Sequence, residues 1–113
     1  MTSTLKKISR RVALTIAVSA CFSPVTHAAE LLTEGVFKVG MEVTYPPFES
    51  YDSNNNIVGL DPDFAALIAQ HLQAKPQLID TKFTSLILGI GKKYDAVISG
   101  MYVTPERQKQ ADA

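Results

Sequence analysis

The opening of the chain sets the strongest limit on what the rest can build, because residues 1–28 read as an export address. They contain no acid, and Lys6, Lys7, Arg10 and Arg11 supply four of the eleven positive charges. The apolar run Val12 to Phe22 follows, then Pro24-Val25-Thr26-His27-Ala28-Ala29. A basic start, a short apolar stretch and small residues before a cut site are the three parts of a secretory signal peptide. Cleavage after Ala28 puts small Thr26 and Ala28 in the two positions the peptidase reads. The apolar run has 11 residues, against the roughly 20 that a membrane span needs, which disfavours an N-terminal anchor. Val18-Ser19-Ala20-Cys21 resembles a lipobox, so lipidation of Cys21 is a lesser alternative to ordinary cleavage. Ser9-Arg10-Arg11 resembles a twin-arginine signal, but Ala13 stands where a bulky apolar residue is expected.

Export leaves 85 residues, 29–113, to fold, carrying 7 basic and 11 acidic side chains for a net charge of −4. That sign removes the electrostatic case for nucleic acid. The single cysteine, Cys21, lies in the signal, so no disulfide framework supports this part. An acidic, cysteine-free, exported domain fits the periplasm. No later segment is apolar and long enough to cross a bilayer once the signal is gone.

Along the exported part, Val36 to Met41 reads as a buried strand. Tyr45-Pro46-Pro47-Phe48 breaks it, since two prolines remove two backbone donors. The cluster Asp52-Ser53-Asn54-Asn55-Asn56 predicts a turn joining two short hairpin strands. Asp61-Pro62 predicts a helix start with Asp61 as the cap. Phe64, Leu67, Ile68 and Leu72 then mark one apolar stripe, with His71 at the edge of the core. Pro76 ends that helix region, and Gln77 to Asp80 reads as a strand. A second helix is expected from about Ser85 to Lys92, weakened by Gly89 and Gly91. A strand over Asp95 to Ser99 and a last helix opened by Thr104-Pro105 complete the order. Alternating strands and helices imply an α/β fold with a mostly parallel sheet flanked by helices.

Three segments carry a specific resemblance. They are Val39-Gly40-Met41-Glu42-Val43-Thr44-Tyr45-Pro46-Pro47-Phe48-Glu49, Gly59-Leu60-Asp61-Pro62-Asp63-Phe64, and the run from Tyr94 to Arg107 that contains Ser99-Gly100-Met101-Tyr102-Val103-Thr104-Pro105-Glu106-Arg107. In this order behind a signal peptide, they resemble the family 3 periplasmic solute-binding proteins, which deliver amino acids to ABC transporters. The resemblance runs from about residue 34 to the end. It implies a periplasmic binding protein type II-like fold of two α/β lobes, of which residues 29–113 would form most of the first. It also implies an amino acid or related small molecule as ligand and an ABC permease as partner of the full-length form. Which amino acid stays open, because much of the pocket would lie on the other lobe.

An amino acid offers a carboxylate, an ammonium and a variable side chain. Arg107 is the candidate for the carboxylate, because a planar guanidinium makes two parallel charge-assisted bonds. Its place in a first helical turn would add the field of the helix. By the resemblance, Ser99, Gly100 and Tyr102 line the same wall, with Gly100 letting the ligand approach the main chain. Tyr45 and Leu60 fall where the family places contacts to the ligand side chain; core packing is the competing reading, evenly matched for Leu60. Glu42 sits where the family has an acid facing the ligand, and a strand-end surface acid explains it equally well. It tilts the ligand toward polar or basic amino acids. Thr104 is either a ligand hydroxyl or a cap.

No cofactor is called for, and no cluster of histidine, cysteine and carboxylates suggests a metal. Nor do a nucleophile–base pair or paired catalytic carboxylates stand out, so the expectation is a binding protein and not an enzyme. The alternatives are the N-terminal part of an enzyme that resembles the same fold, of cyclohexadienyl dehydratase or lytic transglycosylase type, or of a kinase sensor domain. A chain holding one incomplete lobe buries a smaller fraction of its surface and exposes a sheet edge. Marginal stability, aggregation and weak or absent amino-acid affinity are therefore expected of it alone.

Overall fold

Alternating apolar residues place the central strand. In the computed structural model, which describes residues 30–113, β1 spans Val36–Met41, and Phe37, Val39 and Met41 point into the core with 5% exposure or less. The chain then turns through Pro46-Pro47, whose peptide bond is cis, into a hairpin of β2 (Ser50–Tyr51) and β3 (Ile57–Val58). The Asp52 carboxylate holds the hairpin turn by accepting from the backbone of Asn54 and Asn56, each at 2.8 Å. Helix α1 (Leu60–His71), strand β4 (Lys75–Asp80), strand β5 (Ala96–Val97) and the short helix α2 (Pro105–Gln108) follow. The sheet order is β4-β1-β5, and both pairings are parallel. This is the expected α/β architecture with a parallel sheet flanked by helices. The signal segment, its cut site and Cys21 lie outside the described residues. Among the described residues, no helix is long and apolar enough to cross a membrane.

The helix packs differently from the expectation. The buried residues of α1 are Asp61, Pro62, Ala65 and Ala69, while Phe64, Leu67 and Ile68 are 50%, 62% and 39% exposed. Small alanines let the helix lie close on Phe37, Val39 and Met41, and of the expected stripe only Leu72 packs against the core. His71 is likewise exposed and not at the core edge. The cap is Gly59 and not Asp61, whose carboxylate is spent elsewhere.

Two further expectations change. Pro76 lies inside β4, which begins at Lys75; this is an edge strand among the described residues, so the missing N–H can face away from β1. The segment expected as a second helix forms two 3₁₀ turns, Phe83–Ser85 and Ile87–Gly89. The cause is Tyr94, fully buried, whose ring lies between Gly40 of β1 and Gly89. Its hydroxyl donates to the carbonyl oxygens of Leu86 and Ser85, which holds the turns in place. A β-carbon on Gly40 would meet that ring at 2.8 Å, so Gly40→Ala forces the ring or the strand to move. Overpacking of this kind costs about 1–3 kcal/mol. A urea midpoint lowered accordingly is expected, and an unchanged midpoint would show that Tyr94 shifts freely.

Candidate functional site

Parallel strands end on one side, and the crevice beyond their carboxyl ends is where open α/β sheets hold ligands. Here β1 ends at Met41, β4 at Asp80 and β5 at Val97. The segments that follow converge: Glu42, Thr44, Tyr45 and Glu49 after β1, Phe83 after β4, and Ser99, Gly100 and Tyr102 after β5. Together they line a groove of about 370 Å³.

The groove is built by hydrogen bonds that join these segments. The Ser99 hydroxyl accepts from the Glu42 backbone N–H at 2.9 Å and donates to the Glu49 carboxylate at 2.6 Å. The Glu42 carboxylate accepts from Phe83 N–H at 2.9 Å, tying β1 to the turn after β4. The Gly100 N–H donates to Asp61 of α1 at 3.0 Å. Gly100 has φ +54°, a left-handed conformation that favours glycine, and its Cα faces the Tyr45 ring. Tyr45 stacks on Phe48 at 5.1 Å between centroids and is 57% exposed, so its outer face is free. The loop beneath it is closed by Tyr45 N–H to Glu49 O at 2.8 Å and Glu49 N–H to Tyr45 O at 2.9 Å.

Glu49 is the unusual group. It is 1% exposed, and its Oε2 atom has no hydrogen-bond partner. Burial raises its pKa from 4.5 to about 7, the neighbouring Asp61 and Glu42 charges add to the rise, and the Ser99 bond opposes it.

Of the seven residues singled out from sequence, the groove brings together Glu42, Tyr45, Ser99, Gly100 and Tyr102. Arg107 sits beside it. Its guanidinium carbon lies 5.0 Å from the Tyr102 ring centroid and 5.4 Å from that of Phe83, and its Nη1 donates to Tyr102 O at 2.8 Å. Two rings that wall the groove therefore also hold the arginine. Thr104 is the cap of α2, accepting from Arg107 N–H at 3.2 Å. Since α2 is a single turn of four residues, it lends the arginine little of the helix field invoked from sequence. Leu60 is 48% exposed at the start of α1 and lies outside the groove lining.

Sequence reasoning passed over Thr44, Glu49 and Phe83. Glu49 closes the first motif and was visible there as a buried-turn acid. Phe83 belongs to none of the three motifs and becomes visible only when β4 is placed beside β1. The Glu42 carboxylate in a groove rimmed by three aromatic rings suits a cation, through charge and through the negative faces of the rings. Among the described residues, no group of three histidine, cysteine or carboxylate side chains is placed to hold a metal ion.

This architecture, with its crevice at the strand ends, is that of a solute-binding lobe. The chain belongs to the bacterial extracellular solute-binding proteins, family 3, whose model matches residues 37–113. It is 46% identical over 95 residues to ABC transporter arginine-binding protein 1 of Escherichia coli K12, covering 83% of this chain and 37% of that protein. It thus spans little more than a third of that relative's length. Among solved structures, the arginine-bound form of domain 1 from TmArgBP matches with a TM-score of 0.64 at 45% identity, over 66% of this chain and 60% of that one. The ancestral amino acid-binding protein AncCDT-1, a precursor of cyclohexadienyl dehydratase, matches with a TM-score of 0.66 at 37% identity, over 69% of this chain and 35% of that one.

Ser99→Ala tests how the groove is assembled. It strips the partner from Glu42 N–H and from Glu49 Oε1 at once. Unsatisfied buried groups cost about 1–3 kcal/mol. Thermal unfolding should show a loss of that order, and a midpoint equal to the wild type would mean water replaces the hydroxyl.

Proposed function

We propose that residues 29–113 form the first-lobe portion of a periplasmic receptor that binds a cationic amino acid for an ABC transporter, and that residues 1–28 direct its export. The single observation that carries the ligand class is the groove itself, with the Glu42 carboxylate in its lining and Tyr45, Phe83 and Tyr102 around it. The printed names of the relatives point the same way: the Escherichia coli protein binds arginine, and domain 1 of TmArgBP was crystallised with arginine bound.

In this reading the ligand's cationic side chain lies over the Glu42 end of the groove, against the exposed face of Tyr45. The α-carboxylate lies toward Tyr102, where Arg107 is already oriented by two aromatic faces and one carbonyl. That restraint lowers the entropy lost when the guanidinium forms its paired bonds. Gly100 and Ser99 supply the main-chain wall between the two ends. Leu60 has no part in it. No reaction is assigned: the groups on this wall grip charge, and AncCDT-1, the neighbour tied to an enzyme lineage, is itself described as an amino acid-binding protein.

That an isolated domain 1 of a relative holds arginine supports binding by one lobe. It weighs against the weak affinity expected from sequence. Isothermal titration of the chain against the twenty amino acids should therefore give binding of arginine, lysine or histidine at about the micromolar level, near −8 kcal/mol. Glu42→Gln should weaken it roughly tenfold, as expected for losing a charged partner, and Arg107→Ala should abolish it. Preference for an uncharged or acidic amino acid would refute the cationic reading. Unchanged affinity in Arg107→Ala would remove that residue from the site.

A further inference from the structure

The acid pair beneath the groove does something the ligand reading does not require. Glu49 reaches the core side of the wall from the loop after β1, and Asp61 reaches it from the second position of α1. Both are buried, at 1% and 7% exposure. They bond to consecutive residues of the wall: Glu49 to the Ser99 hydroxyl and Asp61 to the Gly100 N–H. Each carboxylate thus fixes one wall residue, and the two are close enough to act on each other electrostatically. A carboxylate buried out of water with an oxygen left unpartnered is costly to ionise, and the usual resolution is to hold a proton. The Glu49 Oε2 atom is buried and lacks a donor or acceptor partner, and it is the atom on which such a proton would sit.

We propose that Glu49 holds a proton on its buried Oε2 and that Glu49 and Asp61 together position the Ser99–Gly100 wall, so that ligand grip depends on a proton the ligand does not touch.

The surroundings are consistent with it. The titratable groups that face Glu49 are Asp61 from α1 and Glu42 from the end of β1, and both disfavour its ionised form. Tyr45 and Tyr102 line the same groove. Asp80, at the end of β4, is committed to Val43 N–H at 3.1 Å and to the Tyr51 hydroxyl at 2.9 Å. No basic side chain is among the groups that shift Glu49. Nothing nearby therefore compensates a second negative charge, and a proton does.

The sign of the pH dependence follows. A carboxyl whose pKa is raised on folding, from 4.5 to about 7, binds more protons in the native state than in the unfolded chain between those values. Its contribution to stability is complete below the lower value, falls as pH rises through the interval, and is lost above the upper one.

The test has one arm without ligand and one with arginine; the second rests on the groove reading above. In the first, thermal midpoints of the full chain and of Glu49→Gln are compared from pH 4 to 8. Glutamine cannot titrate but can still accept from the Ser99 hydroxyl, so the wild-type midpoint should fall relative to the variant's between 4.5 and about 7. A difference that stays constant with pH overturns the proton on Glu49. Should the variant not fold, infrared difference spectra of the wild type decide. A protonated-carboxyl band persisting above the ordinary range and lost near pH 7 supports that proton, and no such band overturns it. In the second arm, Asp61→Ala should weaken arginine binding about tenfold or more by freeing Gly100 N–H. Asp61→Asn, which can still accept from Gly100 N–H, should recover most of that loss. Equal affinity for wild type and Asp61→Ala overturns the positioning role. If wild type binds no amino acid, the groove reading fails, and the ligand-free arm still decides the proton.

Discussion

The whole arrangement depends on β1 having a parallel partner on each edge. Residues 36–41 pair with β4 along their full length and with β5 at Val39 and Gly40. Parallel pairing on both sides makes three chain segments leave the sheet together, and this alone brings residue 42, residue 83 and residues 99–102 within bonding distance. Pairing can be this complete because the two faces of β1 are so different. One face carries Phe37, Val39 and Met41 against the alanines of α1. The other carries Gly40, left bare for the ring of Tyr94. Large residues fill one side, and one borrowed ring fills the other.

On that scaffold the polar network does the joining, and its polarity is lopsided. Glu42, Glu49, Asp61 and Asp80 all point their carboxylates at backbone N–H or hydroxyl donors of neighbouring segments. Asp95 does the same at the opposite end of the sheet, accepting from Leu32 N–H at 2.7 Å and Lys38 N–H at 2.9 Å. Backbone donors at strand ends would otherwise be unsatisfied, and a carboxylate with two oxygens can serve two of them. The acids are thus structural first. Their concentration at the strand ends gives the groove its carboxyl groups as a by-product of closing the sheet.

Much of this was legible in the sequence, for identifiable reasons. β1 was readable to the residue because Val36 to Met41 carries apolar alternation bounded by a double proline. The hairpin was readable because Asp52 to Asn56 has turn chemistry, and α2 because Thr104-Pro105 pairs a side-chain cap with the one residue suited to a first helical position. Misreadings came where tertiary packing overrode a local signal. Asp61-Pro62 looks like the same cap device, yet Asp61 sits two residues past the cap, Gly59, and serves Gly100 instead. The large apolar residues of α1 suggested its buried face, but contact with β1 selects the small ones. Gly89 looked like a weakness in a helix and is instead the floor under a tyrosine ring. Of the groove's lining, five residues had been singled out from motifs that also contain Thr44 and Glu49. Phe83 was not, because its only distinction is the strand it follows.

A lobe that holds its own wall has consequences for what a second lobe would add. Ser99, Gly100, Glu42 and Phe83 are fixed by bonds made within residues 42–100, so none of them needs a covering domain to find its orientation. Arg107 is held by rings from two different segments, Phe83 and Tyr102, and its Nη1 is already bonded. What an open groove lacks is exclusion of water. Charges facing bulk solvent attract at about 1 kcal/mol at 4 Å, and at several times that when the surrounding dielectric falls. Orientation is thus a property of this lobe, whereas electrostatic strength depends on what covers it. A ligand that carries a charge at both ends profits most from the first, because it can be read in two places before anything closes.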